Sequence, residues 1–300
     1  MNKINWKEYN NKLVQQGQVT FWFSEDVVEN WTCERSVGGS YTNHYSDLAI
    51  EVLLTIKFFY QLTYRSTQGF AESIIDLMGF NIETPDYTTL CRRLKKLSID
   101  LNRLEKKGNM HIVVDSTGLK VYGEGEWKVR AHGYSKRRDW RKLHLVVDEE
   151  NNQIIAVELT GNDEADCEVL PRLLDSLSQE EVTAVSADGA YDTFECYDAI
   201  EGIGAQANIP PRAGAKIRQH GNSKKPPLPR DENIRKIRET SLREWKKDSG
   251  YHRRSISETA MYRFKACFSH QMSSKMFGSQ FNEAMIKVKI LNRLATPRSL

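Results

Sequence analysis

Three acids occupy positions where carboxylates can do chemistry. Asp115 closes the apolar run MHIVVD, Asp188 closes VTAVSAD, and Glu258 lies inside the basic stretch YHRRSISETAMYRFK. Acids at the ends of buried strands can converge above a sheet edge, and a packed helix can add a third. Hard divalent cations take oxygen ligands, and Mg²⁺ in phosphate chemistry binds a few carboxylates plus water and substrate oxygens. Two such ions about 3.5–4 Å apart stabilise both the attacking and the leaving oxygen of an in-line displacement. Each acid also has a plainer reading. Asp115-Ser-Thr-Gly and Asp188-Gly both suit turns in which a side chain bonds the backbone. Ser255 and Glu258 match Ser-x-x-Glu, a capping box at a helix start. If that helix begins earlier, near Asp248 or Ser249, then Tyr251, Arg254, Glu258 and Lys265 follow at intervals of three, four and seven and share one face. A carboxylate among cations on one face suits an acidic site that meets a phosphodiester. Asp139, Asp148, Asp163, Asp166 and Asp192 show that spacing alone does not choose between acids. Asp148 ends a strand before a polar turn and reads as a hairpin residue.

The elements that must hold these acids change in period along the chain. WKEYNNKLV reads as a short helix, and VTFWFSEDVVENW as a strand turning into one. VGGSYTNH is a linker by composition. Three helices follow: one capped by Ser46, one stopped by Gly79, and one opening after Pro85 and running through LCRRLKKLSIDLNRLEKK. The third carries Arg92, Arg93, Lys95 and Lys96, which fits a helix-turn-helix type DNA-binding unit or a bundle with a solvated basic face. From residue 111 β-branched runs take over. KLHLVVDEENNQIIAVELTG reads as two strands around a polar turn, DEADCEVLPRLLDSL as a helix, TFECYDAIEG as a short helix and AQANIP as a strand. Residues 212–247, with KKPPLPRDEN, read as a basic loop region, and the closing helices run from about 250 to 294. This order predicts an α/β layer arrangement around a mixed sheet.

The chain has 300 residues and a net charge of only +3, but the charge is unevenly placed. Residues 128–142 hold seven Lys/Arg against one Asp, and residues 212–254 hold fourteen Lys/Arg against five Asp/Glu. Basic stripes on a near-neutral chain point to a polyanion partner. Lys136, Arg137, Arg138 and Arg141 are the candidate backbone-tracking cations in the first stripe. The five cysteines are widely spaced and contain no Cys-x-x-Cys, so a reducing compartment is expected, with neither a zinc site nor a disulfide framework. The opening residues lack the apolar core of a signal peptide, and no apolar run is long enough to span a bilayer.

YHRRSISETAMYRFK fits Tyr-x2-Arg-x3-Glu-x6-Lys without departure, at Tyr251, Arg254, Glu258 and Lys265. That pattern resembles the signature around the last acid of DDE transposases in the insertion-sequence-four group. VVDSTGLKVYGEGEWKVRAHGYSKRRDWRKLHL around Asp115 and SADGAYD around Asp188 are similar to the other two blocks. The chain most resembles bacterial transposases of the insertion-sequence-five family. The resemblance implies a fold similar to ribonuclease H over residues 106–300, preceded by a mainly helical DNA-binding region over residues 1–105. It implies Asp115, Asp188 and Glu258 as catalytic ligands of two Mg²⁺ or Mn²⁺ ions, and Tyr251, Arg254 and Lys265 as DNA contacts near the scissile phosphate. The implied partners are the terminal inverted repeats of an element, target DNA and further copies of the chain, in the cytoplasm of a bacterium and at its nucleoid. A two-metal nuclease without strand transfer and an inactive DNA-binding relic are the alternatives.

Overall fold

The computed structural model describes residues 5–18, 23, 25–33, 45–101, 109–121, 140–177, 181–219 and 226–295. The chain divides into two compact units, one formed by Met1–Leu101 with Cys267–Leu300 and the other by Asn102–Ala266. The first thus includes residues 267–300, which the sequence reading grouped with the catalytic region.

The first unit is helical. Asn5 caps α1 (Trp6–Gln16), and α2 is Glu25–Glu29. The strand expected before α2 lies largely outside the described residues, as does the linker 37–44. Ser46 Oγ accepts the Ala49 N–H and starts α3 (Asp47–Phe59), as its position before the apolar run predicts. Thr63 caps α4 (Tyr64–Met78), which stops at Gly79, where φ is 71°, a left-handed value that glycine adopts without a Cβ clash. Asp86 caps α5 (Tyr87–Leu94) through the Thr88 and Thr89 N–H groups. This helix ends far short of the long one expected. Asn282 Nδ2 donates to the carbonyls of Leu94 and Leu97, at 2.6 and 2.9 Å, so partners outside the helix satisfy the chain where it leaves the helical path.

The second unit holds the sheet. Strands β1 (Met110–Val121), β2 (Trp140–Asp148), β3 (Ile154–Thr160), β4 (Val182–Ser186) and β5 (Gln206–Asn208) lie in the order β3-β2-β1-β4-β5. Pairing is antiparallel among the first three and parallel from β1 through β4 to β5. The sheet is therefore mixed, with helices packed against it. Helices α6 (Asp166–Asp175) and α7 (Phe194–Gly202) share one core with the strands. Val169, Leu170, Leu173 and Leu174 meet Ile112, Val114 and Val146 there. The β2–β3 connection is the hairpin expected at Asp148, whose carboxylate accepts the Glu150 N–H.

Two helices went unread in the sequence, α8 (Pro229–Glu239) and α9 (Leu242–Asp248). Pro229 sits in the first turn of α8, where its missing N–H costs nothing. Fully buried Asp231 gathers the preceding loop by accepting the Arg218 and Gln219 N–H groups. Helix α10 (Ser255–Phe268) follows. Finally α11 (Phe277–Ala295) packs on α3 and α5 in the first unit.

Helix α11 brings a charge into the core. The Glu283 carboxylate is fully buried and accepts the Ser273 and Ser274 N–H groups and Lys287 Nζ at 2.6 Å. Burial pushes this carboxyl up, but Lys287 and the surrounding donors outweigh it, and the net shift is down. Lys57 of α3, itself buried, is lowered by burial and raised in part by Glu283. Replacing Glu283 with Ala strands two buried cations. Urea unfolding should show a loss of about 3–5 kcal/mol, and a loss under 1 kcal/mol would mean the pair behaves as a surface one.

A second buried group sets a pH dependence. His144 on β2 is fully buried, with Nε2 2.9 Å from Thr160 Oγ1 and no partner for Nδ1 among the described residues. Burial lowers its pKa from 6.5 to about 4. The unfolded chain therefore takes up the proton first as pH falls. Stability present above pH 6.5 is lost on the way down to pH 4. One such group contributes about 3 kcal/mol across that window. Burial lowers His111 too, so the decisive comparison is between proteins. His144→Gln should lose less unfolding free energy than wild type between about pH 7 and pH 4, and equal losses would remove His144 as the cause.

Candidate active site

Parallel pairing between β1 and β4 ends at Val113 opposite Ser186. Two residues beyond that pair on β1 stands Asp115, and two residues beyond it on the β4 side stands Asp188. Beyond this point the antiparallel ladder between β1 and β2 continues, with Asp115 opposite Leu145 and the pairing running on to Lys120 opposite Trp140. Asp115 is therefore not at a strand end, as the apolar run suggested, but at a fork where the pairing with β4 stops and the pairing with β2 goes on. Ligand sites in open α/β sheets form beyond the carboxyl ends of strands at such points.

Alternation along β1 sends successive side chains to opposite faces. Ser116 donates its hydroxyl to Asp166 Oδ2 at 2.8 Å, on the side of α6. Asp115 turns the other way. Its Oδ2 accepts Arg254 Nη1 at 2.9 Å and the Ser257 hydroxyl at 3.1 Å, while Oδ1 accepts the Ser116 N–H at 2.9 Å. Burial pushes the Asp115 carboxyl up, the Ser116 N–H, Arg254 and Ser257 pull it back, and the charge of Asp188 adds to the rise. The net shift is upward.

Glu258 reaches this group through Arg254. The guanidinium gives Nη1 to Asp115 and Nη2 to Glu258 Oε1 at 2.8 Å, so one cation straps two of the three acids. The start of α10 explains the geometry. Gly250, with φ 69°, ends α9 and opens a 3₁₀ turn over Tyr251–Arg254 that runs straight into α10. Ser255 has right-handed helical dihedrals instead of the extended ones of a cap, and Glu258 bonds Arg254 instead of closing a capping box. The one-face reading of this stretch holds for the Arg254–Glu258 pair. Asp188 caps the short turn Gly189–Tyr191 by accepting the Ala190 N–H at 2.8 Å.

The remaining candidates fall differently. Tyr251 is buried beside Trp245, with ring centroids 5.8 Å apart. Burial raises its pKa, Arg254 lowers it, and the charges of Asp188, Asp115 and Glu258 add to the rise. Lys265 is exposed two turns along α10 from Glu258. Arg141 is half-exposed on β2, and Lys136, Arg137 and Arg138 lie outside the described residues. Asp192, one of the acids that spacing alone did not separate from the candidates, is buried against Arg230 in a two-pronged ion pair at 2.7 and 3.0 Å. Ser257 and Ser116 were missed. Ser257 is fully buried next to an exposed acid, a contrast visible only once the helix is placed.

Three carboxylates are the oxygen donors a hard divalent ion takes, so the residue types fit such an ion. Among the described residues no three His, Cys, Asp or Glu side chains come together closely enough to hold one. Arg254 holds the Asp115 and Glu258 oxygens that such an ion would need.

Two family models, each described as a transposase DDE domain, match the chain, one over residues 14–124 and the other over residues 106–293. The second spans more than half of it. The chain belongs to the DDE transposases. Solved transposase structures resemble it weakly. The Drosophila P element transposase strand transfer complex aligns at 14% identity and a TM-score of 0.29, over 67% of this chain and 43% of that one. The Mos1 transposase paired-end complex with left transposon end aligns at 11% identity and a TM-score of 0.25, over 79% and 81%. The Mos1 mariner paired end complex with Mn aligns at 10% identity and a TM-score of 0.26, over 89% and 88%. This transposase chain thus spans less than half the length of the P element chain it matches. No described helix is long and apolar enough to cross a membrane.

The Ser257 contact is testable by itself. Ser257→Ala should cost about 1–2 kcal/mol in urea unfolding, because the hydroxyl bonds a buried carboxylate. A double-mutant cycle with Asp115→Asn should give a coupling of about 0.5 kcal/mol or more. Additive losses would show that Ser257 does not hold Asp115.

Proposed function

We propose that this chain is the transposase of a bacterial insertion sequence of the insertion-sequence-five family. It binds the terminal inverted repeats of its element, cuts the DNA there, and joins the freed 3′-hydroxyl to target DNA. The observation that carries the reading is the fork in the sheet. It sets Asp115 and Asp188 beyond the same last pair of parallel strands, while Arg254 ties Asp115 to Glu258. Three antiparallel strands followed by two parallel ones support a ribonuclease H-like fold for the unit that holds the sheet.

Asp115, Asp188 and Glu258 would hold two Mg²⁺ or Mn²⁺ ions, which when bound polarise water and stabilise charge on the scissile phosphate. Everything else falls to the chain. The sheet fork fixes the spacing of the first two acids. Ser257 and the Ser116 N–H hold Asp115 in one rotamer. Arg254 leaves its two carboxylates and takes a DNA phosphate instead, keeping each charge compensated before and after loading. Tyr251 and Lys265 contact the strand near the cut. Water attacks the phosphodiester at the element end, and the bond to the 3′-oxygen breaks. That 3′-hydroxyl then attacks a target phosphodiester and displaces the target's 3′-oxygen. Positioning and stabilisation of phosphoryl charge supply the rate, with no covalent enzyme intermediate.

Duplex DNA binds along Lys136, Arg137, Arg138 and Arg141 and along the helical region of residues 1–105. On α5 and just past it, Arg92, Lys95 and Lys96 are exposed. Arg93 is engaged with Asp47 and the Tyr45 carbonyl and serves packing. Both element ends are cut together by a multimer in the bacterial cytoplasm, at the nucleoid.

The test is cleavage of a labelled duplex carrying the terminal repeat, with Mg²⁺, by wild type, Asp188→Asn and Glu258→Gln. Wild type should nick at the repeat boundary. Both variants should bind the duplex and lose cleavage by about a hundredfold or more, since metal stabilisation is worth several kcal/mol. Variants that cut like wild type would end the three-acid assignment.

A further inference from the structure

From Gly202 to Arg230 the chain carries six Lys/Arg and no acid. Three of these cations, Arg212, Lys216 and Arg218, lie on the loop that follows β5, and all three are exposed. None of them forms an ion pair among the described residues. The two carboxylates that the loop does meet, Asp192 and Asp231, are buried and turned to other donors. Asp192 accepts Arg230 and the Arg212 N–H, and Asp231 accepts the N–H groups of Arg218 and Gln219.

These bonds fix the backbone beneath the cations. The Arg212 N–H reaches Asp192 Oδ2 at 2.8 Å, and Arg230 Nη1 donates to the Lys216 carbonyl at 3.3 Å. The Arg218 and Gln219 N–H groups reach Asp231 Oδ2 at 3.0 and 2.7 Å. Between them Gly214, with φ 77°, lets the Ala215 N–H close a turn on the Arg212 carbonyl at 3.0 Å. The side chains are placed as well. Arg212 donates Nε and Nη2 to the Gly189 and Ala190 carbonyls, at 2.9 and 2.6 Å, which ties the loop to the turn that begins at Asp188. Arg218 lays its guanidinium over the Phe194 ring, 4.0 Å from the centroid. Stacking holds the plane of the fork and leaves the N–H donors on its edge for a ligand.

We propose that the loop Arg212–Gln219 is a binding surface for the phosphate backbone of duplex DNA. Lys216 and Arg218 make the contacts, and Arg212 anchors the loop beside the Asp188 turn. The inference rests on the reading of this chain as a DNA-acting protein and requires no bound metal. Cations strung along an exposed loop suit a continuous phosphate backbone. Holding that loop in place in advance spares the ordering cost that a mobile segment would meet on binding. Phosphate contacts carry no sequence information, so the loop serves any duplex alike.

Three full-length proteins decide it: wild type, Lys216→Gln and the double variant Lys216→Gln/Arg218→Gln. Binding is followed by fluorescence anisotropy in EDTA over a series of salt concentrations, with a labelled duplex carrying the terminal repeat and with a scrambled one. The double variant should lower the salt slope by about two and bind about tenfold or more weakly at about 0.1 M salt, equally on both duplexes. Lys216→Gln alone should lower the slope by about one. Melting temperatures should match, because both side chains are exposed. Should the double variant melt lower, Lys216→Gln decides. Wild-type binding with a slope that neither variant changes overturns this inference and leaves the DNA reading standing. A loss confined to the repeat duplex means base readout and overturns it too. Wild type that binds neither duplex overturns the DNA reading, and this inference with it.

Discussion

The end of parallel pairing between β1 and β4 is the constraint on which the site depends. A parallel ladder holds two strands in register, so the residues that follow its last pair leave from the same level of the sheet. Here that pair is Val113 and Ser186. Because β1 continues along β2, Asp115 keeps a rigid backbone on one side. Asp188 sits instead on a 3₁₀ turn. The two acids are thus held differently, the backbone of one by a ladder and that of the other by a turn.

Charge balance then dictates what surrounds them. Asp115 is largely buried, and an isolated buried carboxylate would neutralise by taking a proton. Arg254, Ser257 and the Ser116 N–H oppose that tendency without fully cancelling it. Arg254 is suited to the task because a planar fork can meet two carboxylates at once, which a lysine ammonium cannot do with the same geometry. The same fork also suits a phosphate. A residue that compensates acids in one state and DNA in another avoids leaving either charge stranded.

Local signals in the sequence were read well. Ser46, Gly79 and the polar turn after Asp148 act within a few residues, and each does what its chemistry says. Errors came where a distant residue decides. The helix α5 stops early because Asn282 takes the Leu94 carbonyl from 188 positions away. Helices α8 and α9 looked like a basic loop because proline and charge dominate their composition. Their order depends on buried Asp231 and Trp245, which no periodicity reveals. The four residues Tyr251, Arg254, Glu258 and Lys265 were visible as a pattern. That Arg254 binds Asp115, 139 positions earlier, was not. Ser257 escaped notice because a buried serine carries no motif.

The first unit is built from two stretches of chain that flank the second. Helix α11 supplies the carboxylate that balances Lys57 and the side-chain amide that ends α5. During synthesis α3 and α5 therefore emerge long before the helix that completes their core. The apolar face of α3 and the Lys57 ammonium must wait, exposed or chaperoned, until residues past 290 are made. The second unit, contiguous in sequence, is under no such delay. Translation thus imposes an order of maturation in which the sheet can close first, and a ribosome that stalls before α11 leaves the helical unit unfinished however well the acidic site has formed.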